Sequence, residues 1–205
     1  KVTAFIRIPS MYNALCHVQA TKPDDLKSLY YAVSGGEPLP QAVADNFKAK
    51  FGVTIAEGYG MTETSPVTNW CRPEEYERGS VGPALPEQIQ RIVDIETGAP
   101  LGPNLDGEIR MKGPNLMAGY LNLPDASRTA LDEHGYLRSG DIGRIDNDGH
   151  LYITGRLKEM LIIAGENVFP REIEEALHSH PSIKDSGVIG ATDPSRSEIP
   201  LACIE

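Results

Sequence analysis

The residues with the clearest chemical potential lie at positions 57–63, where two glycines flank Tyr59 and are followed by the adjacent Thr62 and Glu63. Glycine lets a backbone approach a flat ligand closely, and a tyrosine ring offers a stacking face. Neighbouring hydroxyl and carboxylate oxygens suit a phosphate that is accompanied by Mg²⁺. The competing interpretation is a strand, a glycine turn and a helix cap. The residue types leave both interpretations open.

Two further segments place small or acidic residues after apolar strands. Positions 34–38 read Ser-Gly-Gly-Glu-Pro and directly precede a predicted helix, whose N-terminus favours anionic groups. A plain strand-to-helix turn would have the same composition. Asp141 follows a glycine, and its carboxylate could accept two hydrogen bonds from a ribose diol. Its alternative is a turn aspartate that binds its own backbone.

A boundary between two parts of the chain is predicted at positions 155–158, Gly-Arg-Leu-Lys. Arg156 offers five donors for ribose or phosphate oxygens. Lys158 is either an ordinary solvated lysine or part of a hinge, because a few boundary residues must absorb the change in backbone angles when domains rotate.

The elements that must position these residues alternate between strand and helix up to about residue 79. Apolar runs predict strands at positions 2–8, 29–33 and 53–56. The second intervening helix has apolar residues every four positions and ends at Gly52. This order is typical of a parallel α/β sheet, on which ligands lie beyond the carboxyl ends of the strands. The glycine-containing segments at residues 34–38 and 57–63 both fall at these strand ends.

The later parts of the chain differ in their pattern of apolar and turn residues. Short alternating segments separated by turn residues predict a small β-barrel or curled sheet, and a hairpin around Gly165, a helix and two strands then predict half of a small α+β domain. The predicted fold class is therefore α/β. It consists of the end of a parallel α/β subdomain (1–79), a β-barrel-like subdomain (80–155), and a hinge with an incomplete α+β C-terminal domain (156–205). Both ends of the chain look cut from something longer.

Composition restricts the possible function classes. The 205 residues carry a net charge of −10, which argues against nucleic acid as a partner because nucleic-acid binders present a basic face. No apolar run of about 18 residues is present, so no transmembrane segment is predicted. Cys16, Cys71, Cys203 and the histidines lack metal-ligand spacing, so zinc is not expected and reduced thiols fit a cytoplasmic protein. An acidic protein can still bind phosphorylated small ligands through glycine loops.

Six motifs, in order along essentially the whole chain, resemble those of the adenylate-forming superfamily, which includes acyl-CoA synthetases, luciferases and peptide adenylation domains. Residues 160–174 look most like the fatty-acyl or medium-chain CoA ligase branch. One departure is Ser139, where threonine is more usual in the family. The motifs are SGGEPL (34–39), EGYGMTE (57–63), GSVG (79–82), GEIR (107–110), SGD (139–141) and GRLKE (155–159).

The resemblance implies that Thr62 would bind the α-phosphate of ATP and that Glu63 would bind Mg²⁺. The first glycine segment (residues 34–38) would line the adenine and acyl pocket. The second glycine segment (residues 57–63) would frame the adenine, with the tyrosine ring stacked on it. The residues concerned are Gly35, Gly36 and Glu37 in the first segment, and Glu57, Gly58 and Tyr59 in the second.

The resemblance also implies roles for four residues further along the chain. Asp141 would hold both ribose hydroxyls, and Arg156 would contact ribose or phosphate. Lys158 would be the hinge about which the C-terminal domain rotates between adenylation and thioester formation. Gly165 would lie near the pantetheine tunnel of CoA.

The activity implied is that of an ATP-dependent, AMP-forming acyl-CoA ligase, with a carboxylic acid (a fatty acid by the resemblance), ATP with Mg²⁺, and CoA as its ligands. The family's glycine- and Ser/Thr-rich phosphate loop and its adenylation lysine are not among these residues. We therefore expect an internal piece of a larger enzyme that forms no acyl-adenylate alone. Two alternatives share the nucleotide residues, namely an adenylation domain that loads a carrier protein and a non-catalytic nucleotide-binding fragment.

Overall fold

A computed structural model describes residues 1–178, 180, 182, 183, 186–193 and 196–205. The fold is mixed α/β, as the sequence predicts, and it forms two compact units. Within the described residues, no helix combines the length and the apolar character needed to cross a membrane. The first unit comprises Lys1–Gln90, Met111–Leu137 and Ile145–Tyr152, and the second comprises Arg91–Arg110, Arg138–Arg144 and Ile153–Glu205.

The first unit contains a four-stranded sheet in the order β1-β2-β3-β4. Strands β1, β2 and β3 pair in parallel, which confirms the predicted parallel α/β sheet. Strand β4 adds to the edge in the antiparallel direction. The strand bounds are β1 (Ala4–Arg7), β2 (Tyr31–Ser34), β3 (Ile55–Gly60) and β4 (Val67–Trp70).

Two helices, α1 (Pro9–His17) and α2 (Gln41–Phe51), connect the parallel strands of this sheet. Helix α2 ends at Gly52, whose φ of 71° is the left-handed conformation expected of a C-terminal glycine. The Tyr12 hydroxyl lies 2.8 Å from the carbonyl oxygens of both Phe5 and Val33, so it ties α1 to β1 and β2. The buried residues of this core are Tyr12, Leu29, Ala32, Phe47, Phe51 and Ile55.

A second four-stranded sheet has the order β5-β6-β7-β8, and most of its residues fall in the second unit. Its described strands form an open sheet, so the closed-barrel form of the prediction is wrong. Closure would need the edge strands β5 and β8 to pair, which local alternation of polar and apolar residues does not determine. The bounds are β5 (Ile89–Val93), β6 (Gly107–Lys112), β7 (Leu137–Ile145) and β8 (Leu151–Arg156).

The C-terminal part of the second unit is a small antiparallel sheet in the order β10-β9-β12-β11 with one helix, α4. Ala164 and Gly165 turn the β9–β10 hairpin with φ values of 53° and 90°, which confirms the predicted hairpin. Helix α3 (Pro124–Ala130) belongs to the first unit. The other bounds are β9 (Leu161–Ile163), β10 (Glu166–Val168), α4 (Pro170–His178), β11 (Ser186–Asp193) and β12 (Ser197–Ile204).

Candidate active site

The two glycine segments meet at the carboxyl ends of β2 and β3. Ser34 and Glu57 are paired in the parallel register of these strands. A Cβ atom on Gly35 would lie 3.2 Å from the carbonyl oxygen of Gly58, so the two backbones run side by side. Gly36 has a φ of 91°, and it is exposed together with Glu37. The first segment therefore provides open backbone next to the second.

Strand β4 explains two glycines of the second segment. A Cβ atom on Gly60 would lie 1.9 Å from the carbonyl oxygen of Pro66, and one on Gly58 would lie 3.2 Å from the Trp70 ring. Close packing against β4 thus accounts for glycine at position 60. The half-buried Tyr59 is paired with Asn69 of β4, which fixes its backbone in the sheet.

The residues Thr62–Thr64 form a single 3₁₀ turn directly after β3. The Thr64 hydroxyl accepts a hydrogen bond from the Met61 N–H at 3.0 Å and lies 3.0 Å from the carbonyl oxygen of Pro66, so it stabilises both sides of the turn. Thr62 is exposed and Glu63 is half-buried. The turn therefore presents a hydroxyl and a carboxylate beside the glycine segments.

A support segment, residues 115–120, holds this turn. The Asn115 amide donates to the carbonyl oxygen of Thr64 at 2.6 Å, and the Met117 N–H donates to that of Glu63 at 2.8 Å. The Tyr120 hydroxyl donates to Glu63 Oε1 at 2.7 Å. This hydrogen bond raises the pKa of Tyr120, because loss of the phenolic proton would break it. Sequence reasoning missed these contacts, since none of them joins residues that are near in sequence.

Asp141 is a buried carboxylate of the second unit, with a relative exposure of 8%. Its Oδ1 lies 3.2 Å from Arg156 Nε, so two of the predicted nucleotide residues contact each other. Its N–H donates to the Ser139 hydroxyl at 3.0 Å, and that hydroxyl donates to the carbonyl oxygen of Ile109 at 2.6 Å. Ser139 therefore positions the Asp141 backbone, and a threonine would supply the same hydroxyl.

Lys158 and Gly165 both lie on exposed turns of the second unit. Lys158 is the central residue of a single 3₁₀ turn, Leu157–Glu159, that directly follows β8. Gly165 lies in the β9–β10 hairpin. Upstream of the turn, Gly155 has no room for a side chain, because a Cβ atom there would lie 2.7 Å from the Phe169 ring. These positions are compatible with the predicted roles but do not test them.

The described residues contain no group of three or more His, Cys, Asp or Glu side chains that could hold a metal ion. Mg²⁺ is usually bound by one or two carboxylates together with substrate phosphates and water. The single carboxylate of Glu63, next to the Thr62 hydroxyl, therefore fits a Mg²⁺ ion that arrives with a nucleotide.

Comparisons with known proteins agree with this chemistry. The family model described as "AMP-binding enzyme" matches residues 1–121. Over its whole length, the chain is 37% identical both to 4-coumarate–CoA ligase 1 of Oryza sativa subsp. japonica and to luciferin 4-monooxygenase of Nipponoluciola cruciata, and it covers 37% of each.

Solved structures give the same result. ATP-bound MatB from Rhodopseudomonas palustris matches with a TM-score of 0.92 at 33% identity, over all of this chain and 41% of that one. The o-succinylbenzoate CoA synthetase MenE from Bacillus subtilis, in complex with its acyl-adenylate intermediate, matches with a TM-score of 0.85 at 33% identity, over 99% of this chain and 41% of that one. The chain thus spans between 37% and 41% of the length of these relatives.

Proposed function

The chain belongs to the AMP-binding enzyme family, and we propose that it is the nucleotide-binding piece of an AMP-forming acid–thiol ligase. The observation that supports this most directly is the meeting of the two glycine segments, where Ser34 and Glu57 are paired and a turn with a hydroxyl and a carboxylate follows. Because the chain spans only 37% to 41% of its relatives' length, the activity is proposed for the whole enzyme.

The proposed reaction has two steps. A carboxylate oxygen of the acid attacks the α-phosphorus of ATP, the bond to pyrophosphate breaks, and acyl-AMP forms. The thiol of CoA, losing its proton, then attacks the acyl carbonyl, so that the thioester forms and AMP leaves. When bound, Mg²⁺ would neutralise charge on the phosphate oxygens.

In the first unit, the Thr62 hydroxyl would donate to an α-phosphate oxygen, and the Glu63 carboxylate would hold the cation. The exposure of Thr62 and the single-turn geometry of residues 62–64 support this assignment. The backbones of the two glycine segments would face the adenine, and the Tyr59 ring would stack on it. The residues proposed to line the adenine pocket are Gly35, Gly36, Glu37, Glu57, Gly58 and Tyr59.

In the second unit, Asp141 would bind both ribose hydroxyls, and Arg156 would bind ribose or phosphate oxygen. Their contact at 3.2 Å supports this, since Arg156 keeps donors beyond its Nε and its side chain is about half exposed. Lys158 would be the hinge of a C-terminal domain that begins near residue 156, and Gly165 would approach the pantetheine of CoA. The division into parts 1–79, 80–155 and 156–205, and a cytoplasmic location, belong to the same proposal.

A fatty acid is the proposed substrate, because residues 160–174 resemble the fatty-acyl branch. The relatives include ligases whose names specify aromatic acids, namely 4-coumarate and o-succinylbenzoate. The full-length enzyme, incubated with ATP, Mg²⁺, CoA and a panel of saturated fatty, 4-coumaric and benzoic acids, should form fatty acyl-CoA, which mass spectrometry detects. Thioesters of aromatic acids alone would contradict the fatty-acid proposal and leave the ligase intact. A thioester formed only on a carrier protein would contradict CoA as the acceptor.

A further inference from the structure

Tyr120 is the one side chain outside the predicted set whose hydroxyl contacts a proposed cation ligand in the described structure. It lies 57 positions from Glu63 in sequence, yet its hydroxyl donates to Glu63 Oε1 at 2.7 Å. We infer that Tyr120 is a positioning residue, whose hydroxyl holds the Glu63 carboxylate in the orientation that receives the divalent cation of a metal–nucleotide complex. Since Glu63 is a cation ligand only under the proposed function, the role of Tyr120 rests on that function.

The start of helix α3 fixes the backbone of Tyr120. Its N–H donates to the Ser127 hydroxyl at 2.8 Å, and that hydroxyl donates to the carbonyl oxygen of Leu123 at 2.9 Å. The preceding Gly119 has a φ of 143°, and a Cβ atom there would lie 2.9 Å from Ser127 Oγ. The base of the Tyr120 side chain is therefore anchored independently of Glu63.

The backbone of Glu63 is fixed by the same support segment. The Met117 N–H donates to the Glu63 carbonyl oxygen, and Asn115 donates to the carbonyl oxygens of Thr64 and Val67 at 2.6 and 2.9 Å. With the backbone held in this way, the side-chain torsions are the freedom left to Glu63. The hydrogen bond from the Tyr120 hydroxyl restricts them.

The chemistry of a phenol suits this task. A hydrogen bond from a neutral donor to a carboxylate is charge-assisted and directional. A lysine or arginine in its place would cancel the negative charge that a cation requires, whereas a phenol leaves that charge in place. The bond uses Oε1 and leaves Oε2 for the cation. Partners of this kind, which orient metal ligands, typically change metal affinity about 10–100-fold when they are removed.

The test measures binding of a non-hydrolysable ATP analogue to the full-length enzyme, once with saturating Mg²⁺ and once with EDTA. The ratio of the two affinities is the gain that Mg²⁺ provides. Tyr120→Phe, which keeps the ring and removes the donor, should lower this gain about 10-fold and leave the affinity in EDTA within about twofold. Equal losses with and without Mg²⁺ would show a merely structural role and would overturn the inference.

Tyr30 provides a matched control, because its hydroxyl also donates to a glutamate, Glu74 Oε1, at 2.5 Å. This pair lies at the start of β2, at the strand end opposite to the glycine segments, and the tyrosine is 67% exposed. Tyr30→Phe should leave the Mg²⁺ gain within about twofold of the wild type. A loss equal to that of Tyr120→Phe would contradict a specific role for Tyr120.

Glu63→Gln separates failure of the inference from failure of the proposed function. If Glu63→Gln abolishes the Mg²⁺ gain and Tyr120→Phe leaves it unchanged, the proposed site stands and the role of Tyr120 is wrong. If Glu63→Gln leaves the gain intact, the cation site itself is wrong, and the role of Tyr120 is wrong with it. Adding Tyr120→Phe to Glu63→Gln should change nothing further, because a residue that acts through Glu63 has no effect without it.

Discussion

Asp141 shows how the residues around it hold one buried carboxylate in place. The Ser139 hydroxyl fixes its backbone, Arg156 contacts its Oδ1, and Gly140 takes the left-handed φ of 71° that the turn requires. These contacts are local in sequence except for that of Arg156. The contact between Asp141 and Ser139 therefore has a local sequence signal, whereas the contact between Tyr120 and Glu63 has none.

The proposed ribose contact gives a prediction for nucleotide selectivity. Asp141→Asn in the full-length enzyme should weaken ATP binding by about 1.5–3 kcal/mol, because a hydrogen bond to a charged group is lost. The same variant should bind ATP and 2′-deoxy-ATP with similar affinity, whereas the wild type should prefer ATP. Calorimetry with both nucleotides checks this. An unchanged preference in the variant would show that Asp141 does not contact the ribose.

Tyr31 gives a prediction for alkaline pH. Burial, reinforced by the neighbouring Cys71, raises the pKa of Tyr31 to about 12, and its hydroxyl donates to the Cys71 carbonyl oxygen at 2.5 Å. A folded-state pKa above the ordinary value of 10 means that the fold favours the protonated phenol. The stabilisation is therefore complete below pH 10 and is lost as pH rises through about 12. Urea unfolding across this range should show a steeper loss for the wild type than for Tyr31→Phe, and parallel curves would contradict it.

At the scale of elements, the parallel sheet and helix α2 follow directly from the sequence. Apolar residues at four-residue spacing and a terminal Gly52 predicted α2 close to its observed bounds, Gln41–Phe51. The support segment was not predicted, because its contacts join residues far apart in sequence. Strand β4 was not predicted either, although it pairs with β3 residues only 7 to 12 positions away. Whether the second sheet closes into a barrel could not be predicted from the local sequence pattern either, because alternating residues look the same in an open sheet and in a barrel.

Helix α1 depends on a lysine of its neighbour α2. Lys50 Nζ donates to the carbonyl oxygen of Cys16 and to the Thr21 hydroxyl, both at 2.8 Å, and thereby satisfies the C-terminal end of α1. Lys50→Met should destabilise the protein by about 1–3 kcal/mol in urea unfolding, because charged hydrogen bonds to the helix end are lost. Lys48→Met, on an exposed position of the same helix, is the control and should change stability little. Equal effects of the two substitutions would argue against this capping role.

At the scale of the whole molecule, the predicted nucleotide residues fall in both compact units. The adenine and phosphate set belongs to the first unit, and Asp141, Arg156, Lys158 and Gly165 belong to the second. The family model matches residues 1–121, which contain four of the six motifs, and the chain covers 37% of the 4-coumarate–CoA ligase 1 of Oryza sativa. Residue roles and the hinge remain proposals at this scale.

The hinge gives a prediction for the two half-reactions. Proline fixes φ, so Lys158→Pro should restrict the backbone change that domain rotation requires. In the full-length enzyme, this variant should keep the rate of acyl-adenylate formation within about threefold of the wild type. It should lower the rate of thioester formation by about 100-fold or more. Lys158→Ala, which keeps backbone freedom, is the control. Equal loss of both half-reactions in the proline variant would contradict a hinge at this position.

The most direct test of the central claim is acid-dependent exchange of labelled pyrophosphate into ATP by the full-length enzyme, with Glu63→Gln measured alongside. An AMP-forming ligase should exchange pyrophosphate only when a suitable carboxylic acid and Mg²⁺ are present, and loss of the Glu63 charge should lower the rate by about 100-fold or more. Cleavage of ATP to ADP and phosphate, without acid-dependent exchange, would contradict the proposed function.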